Sequence, residues 1–164
     1  MESLLKKETK ASLIKAIGHE LYAHNLYRSL AAQMQAIGFF GTQKYFNSEA
    51  ESELGHYQIL ADYINDRGDV AEIPLVEAQK DKAKGLLDAF EIVYETEKSL
   101  LDFYVQLYES AEDKMKDCVT AQFLLQFIEI QRKAVGEVKD ILSLLNIAKD
   151  NSAALLEIDE KLGK

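Results

Sequence analysis

The sequence predicts an all-α protein: an antiparallel four-helix bundle with a long crossover between its second and third helices and a short fifth helix at the C-terminus. Three observations carry this prediction. Leu, Ala, Glu and Lys dominate, and a single proline, Pro74, stands in 164 residues; such a composition favours helix over sheet. Apolar residues recur at helical spacing along four long stretches. The breaks between stretches are short, long and short in turn, and a bundle whose second and third helices are joined from opposite ends needs that one long connection.

The elements follow in order. The first helix is expected from Glu8 to Gln35, on a stripe of Leu13, Ile17, Ala31 and Met34, and it ends near Gly38-Phe-Phe-Gly41. The second runs from Thr42 to Asp66 on Phe46, Ala50, Leu60 and Ile64, and stops at Arg67-Gly68-Asp69, a glycine-centred helix end. Val70 to Lys84, with Pro74 inside it, is too long for a tight turn and forms the crossover. Gly85 to Ser110 is the third helix, with Leu86, Phe90, Val93, Leu100, Tyr104 and Leu107 on its stripe. The fourth, Asp117 to Ile147, carries Leu124, Phe127, Ala134, Val138, Ile141 and Leu145. A fifth helix, Ala153 to Lys161, follows the cap signal Asp150-Asn-Ser152. A chain of this length is expected to form one domain over residues 1–164 and to bury a full core unaided.

Bulk chemistry narrows the partners. A formal net charge of −9 argues against non-specific nucleic-acid binding, which needs a basic surface. Cys118 is the single cysteine, so neither an intrachain disulfide nor a cysteine-based zinc site is available. The N-terminus lacks an apolar leader core, and no stretch has 18 consecutive apolar residues. A reducing, cytoplasmic setting away from membranes is therefore expected.

Each apolar stripe is broken near its middle by polar residues. Glu20 interrupts the first, Glu53 with His56 beside it the second, Glu97 the third and Gln131 the fourth. Counted from the expected helix ends, Glu20 and Glu53 lie within about one helical turn of the same height, and so do Glu97 and Gln131. Burying one unpaired carboxylate costs several kcal/mol, roughly. Three ionised carboxylates together in a core would force protonation. Two divalent cations would compensate the charge and use the imidazole as a ligand. The i, i+3 spacing of Glu53 and His56 lets both reach one metal, as in the Glu-x-x-His motif of di-iron carboxylate bundles. Oxygen-rich ligation with one nitrogen donor suits iron or manganese, and zinc also binds such a set. A lone Glu-x-x-His on a helix is common; the coincidence across four helices carries the weight.

These residues resemble the non-haem ferritins. Glu20-Leu-Tyr22, with Tyr27 seven residues after the glutamate, is similar to the family's first-helix signature. Glu53-Leu-Gly-His56 resembles its second-helix motif, Tyr94-Glu-Thr-Glu97 its third-helix Tyr-x-x-Glu, and Gln131-Arg-Lys-Ala134 the fourth-helix Gln-x-x-Ala of catalytic animal chains. Ala154 to Asp159 looks like the short C-terminal helix. The resemblance implies a subunit of a hollow twenty-four-chain shell. Such a shell oxidises Fe(II) with dioxygen or hydrogen peroxide at a di-iron ferroxidase centre and stores the ferric mineral. By the same resemblance, Glu20, Glu53 and His56 would hold one iron, and Glu53 and Glu97 the other with Gln131 close by. Glu53 would bridge, and Tyr27 would hydrogen-bond near the centre.

The departures also carry meaning. Leu54 stands where bacterioferritins place a haem-ligating methionine, and their fourth-helix Glu-x-x-His is replaced by Gln131 and Ala134, so no haem is expected. Ser52, Ile130 and Ala134 take the places of carboxylates that build a third iron site in many bacterial ferritins. Ala121 and Leu124 match the acidic residues of the animal iron channel, which puts that route in doubt. His24 is expected to be a hydrogen-bonded core histidine, with metal contact as the alternative. Glu49 and Glu137 are expected to face solvent or neighbouring subunits. Other readings stay open at this point: another di-metal carboxylate oxidase or peroxidase, a DNA-protecting mini-ferritin with sites between subunits, or a structural bundle whose polar residues pair only with each other.

Overall fold

The computed structural model describes residues 2–164. Its elements, in order, are α1 (Lys7–Ala36), α2 (Phe40–Asp66), α3 (Leu86–Asp113), α4 (Cys118–Ala148) and α5 (Ser152–Leu162). Among the described residues there is no strand. The fold is the all-α bundle with a long crossover and a fifth helix that the periodicity predicts. Helix ends differ from expectation by at most three residues, and the largest difference is at the end of α3, where Ala111 packs into the core.

Local chemistry sets the ends. At the end of α2, Gly68 has a φ of +75°, a left-handed conformation that glycine adopts without a Cβ clash. Asp117 caps α4 by accepting from the Thr120 backbone N–H at 3.1 Å, and Asn151 caps α5 by accepting from Ala154 at 3.1 Å.

α1 packs mainly on α2 and α3 mainly on α4, so the bundle is two helical hairpins laid face to face. The crossover is fastened along α1. Lys10 pairs with Asp69 at 2.8 Å and with Glu72 at 2.9 Å. Further on, the Gln79 side chain donates to the Tyr22 carbonyl, and Gln33 accepts from Ala83 and donates to the Asp81 carbonyl. The short α5 docks chiefly on α2.

The apolar interior is in two parts. One contains Leu13, Ile17, Leu60, Ile64, Leu107 and Leu124. The other contains Leu30, Met34, Phe46, Phe90, Val138 and Leu145. Between them lies a buried polar layer of Glu20, Glu53, Glu97 and Gln131. Ala121 and Leu124 are both buried in the first apolar cluster, because their helix face turns into the bundle. No described helix is long and apolar enough to cross a membrane.

Candidate metal centre

Four helices each contribute one side chain to the polar layer, and α2 contributes a second. Glu20 of α1 is fully buried, and Glu53, Glu97 and Gln131 are each at most 3% exposed. His56 follows Glu53 by one turn and is partly buried. Its Nδ1 lies 2.8 Å from Glu53 Oε2 and 3.4 Å from Glu20 Oε2. One ligand atom from each of Glu20, Glu53 and His56 falls within 4.8 Å of the others, a grouping able to hold a metal ion.

Glu97 stands in a different state. Tyr27 donates to its Oε1 at 2.5 Å and Gln131 Nε2 to its Oε2 at 2.6 Å. Both oxygens are therefore satisfied from within the protein. Glu20 is satisfied on one side only: the Tyr104 hydroxyl donates to Oε1, while Oε2 is buried with no hydrogen-bond partner. An orphaned carboxylate oxygen in a core is costly. It faces the same point as His56 and Glu53, where a cation would satisfy it.

The electrostatics agree with that reading. Burial pushes Glu53 up to about 9, with the nearby Glu20 and Glu97 carboxylates adding to the effect and the His56 hydrogen bond opposing it. Burial also raises Glu97, against the pull of Tyr27 and Gln131. For His56 burial works downward, but the Glu20 and Glu53 carboxylates beside it override it and hold the imidazolium up to about 10. Without a cation, the layer keeps protons to limit its own repulsion. Tyr27 and Tyr104 are pushed well above the usual phenol range, first by burial and then by the carboxylates they bond. Both are donors at neutral pH.

Beside the layer a cavity of about 240 Å³ opens, lined by Glu49, Ser52, Glu53, Glu97, Ala134 and Glu137 among others. Ser52, Ile130 and Ala134 all face it. Glu137 is exposed as expected and accepts from the Tyr45 hydroxyl at 3.2 Å. Glu49 departs from expectation. It is half-buried, lines the cavity, and is raised to about 7 by burial and then by Glu137. His24 stands apart from the cluster: its Nδ1 donates to the Ala50 carbonyl at 2.7 Å and ties α1 to α2.

Tyr104 is the residue that the stripe argument passes over, since a tyrosine among apolar neighbours reads as packing. A signal was present. Glu20 and Tyr27 are seven residues apart on α1, and Glu97 and Tyr104 are seven apart on α3. Side chains tilt toward the helix N-terminus, so each tyrosine leans back toward the polar layer. Each then bonds the glutamate of the other helix.

Fold and site together define a carboxylate–histidine centre enclosed in a four-helix bundle. The Ferritin family model, described as a ferritin-like domain, matches residues 10–148. The chain belongs to the ferritin family, and its relatives place it among the non-haem ferritins. It is similar to a probable bacterial non-heme ferritin-like protein of Haemophilus influenzae, at 31% identity over 88% of this chain and 87% of that one. It is also similar to a bacterial non-heme ferritin of Staphylococcus haemolyticus, at 28% identity over 97% of this chain and 95% of that one. Among solved structures it resembles the open-pore ferritin of the archaeon Archaeoglobus fulgidus. That match has a TM-score of 0.94 and 28% identity, and covers 97% of this chain and 98% of the other.

Proposed function

We propose that the whole chain, residues 1–164, is one subunit of an iron-storing non-haem ferritin that acts as a ferroxidase. Fe(II) is its substrate and its cargo. Glu20, Glu53 and His56 receive one Fe(II); Glu53 and Glu97, with Gln131 beside them, receive the second, and Glu53 bridges. Tyr27 orients Glu97. The observation that carries the reading is the orphaned, buried Oε2 of Glu20, facing the Glu53–His56 pair. Two ferrous ions side by side supply two electrons to one dioxygen or peroxide, and a carboxylate-rich shell favours the ferric product.

The assembly we infer is a closed shell of about twenty-four copies, in the cytoplasm, with the mineral inside. Glu20, Glu53 and His56 of one chain come together and α5 is present, which favours this reading over a DNA-protecting mini-ferritin. In the test, Fe(II) is bound without oxygen, dioxygen or hydrogen peroxide is then admitted, and ferric absorbance is followed together with the mass in solution. Retention of ferric iron by a particle near twenty-four chains is the expected result. A monomer or dimer that binds no Fe(II) overturns it.

A further inference from the structure

Resting on that reading of the site, we infer that Tyr104 is a positioning residue that makes Glu20 a single-oxygen ligand. Its hydroxyl occupies Glu20 Oε1 and leaves Oε2 free at the point shared with His56 and Glu53. The phenol cannot easily swing away. Tyr104 is fully buried. Its ring stacks on Phe127 at 4.9 Å, and Phe127 in turn meets His56 edge-on at 6.2 Å. The neighbouring Phe103 ring closes another side at 5.4 Å.

The contrast with Glu97 sharpens the role. There two donors, Tyr27 and Gln131, take both oxygens. At Glu20 one donor takes one oxygen, and His56 Nδ1 lies 3.4 Å from the other. The crossed tyrosine pair therefore gives the two terminal carboxylates different availability. Tyr104 keeps Glu20 from closing on a cation with both oxygens, which limits the number of ligands at the first position. Removing the hydroxyl frees Oε1, so Glu20 becomes able to chelate, and the coordination number rises.

Cobalt(II) reads this directly, because its visible d–d bands weaken as coordination number rises. The experiment titrates wild-type, Tyr104→Phe, Tyr104→Leu and Glu53→Ala proteins with cobalt(II) under nitrogen. Expected are visible bands in the wild type, loss of them in Glu53→Ala, and weaker, shifted bands in both Tyr104 variants, with affinity changed by about 10-fold or more. A purely packing role would leave the bands of any folded variant unchanged. The leucine variant serves where phenylalanine folds poorly, and each is checked for helical content. Bands and affinity equal to wild type in either folded variant overturn the assignment of Tyr104 alone. Absence of cobalt binding in the wild type overturns the metal reading of the site, and this inference with it.

Discussion

At the residue scale, one carboxylate does more than its neighbours. Glu53 touches His56, faces Glu20, and borders the cavity on the Glu97 side. In the proposed function it is the ligand shared by both iron positions. Glu53→Ala is therefore expected to reduce Fe(II) oxidation to the rate of iron in buffer. Gln131→Ala should keep most first-site binding, since the Gln131 side chain donates to Glu97; stopped-flow ferric absorbance separates the two. How far single residues were legible follows from where they sit. Glu20, Glu53, Glu97 and Gln131 stood out because a polar residue on an apolar stripe is costly and so informative. Tyr104 did not, because tyrosine belongs on such a stripe. Glu49 lies off the stripe, and its significance comes from the fold, which half-buries it beside the cavity and brings Glu137 near.

At the element scale, α5 is held by an unusual clasp. Asp159 is buried, and its carboxylate accepts from the Gly41 and Thr42 backbone N–H groups at 3.0 and 2.6 Å and from the Thr42 hydroxyl at 2.6 Å. It thus caps the start of α2 from another helix and meets the positive end of that helix dipole. A Cβ on Gly41 would collide with the Asp159 backbone, so close approach requires glycine there. Asp159→Ala is expected to cost about 1–2 kcal/mol and to expose α5 to hydrogen exchange ahead of α1 to α4. The link into α5 carries the opposite feature: Lys149 sits at φ 49° and ψ −129°, a conformation that suits glycine. Lys149→Gly should raise stability by about 1 kcal/mol, read as a higher urea midpoint. A lower midpoint would show that the backbone there is relaxed. The existence and order of the helices were readable because long amphipathic periods dominate the sequence. The Asp159 clasp was not, because it joins residues 118 positions apart.

At the scale of the whole molecule, a buried polar layer divides the apolar core in two, and this arrangement is expected to tie stability to pH and to cations. Glu53 is raised from 4.5 to about 9 and His56 from 6.5 to about 10. A group whose folded-state value lies above its unfolded value adds stability below the unfolded value and loses it as pH rises through the folded one. For Glu53 the loss begins near 4.5, for His56 near 6.5, and both are complete only above about 10. The cation-free protein is thus expected to melt at a lower temperature at pH 9 than at pH 6. Divalent cations act with the opposite sign. They need the carboxylates ionised and the imidazole neutral, so their affinity grows with pH and binding releases protons. Saturating zinc should therefore raise the melting temperature more at pH 9 than at pH 6 and flatten the profile. Glu53→Gln removes one titrating carboxylate of the layer and should weaken both the pH slope and the zinc effect. Calorimetry on the two proteins, with and without zinc, checks all four outcomes. A zinc-free melting temperature that rises from pH 6 to pH 9 would show that the layer does not hold protons in the folded state.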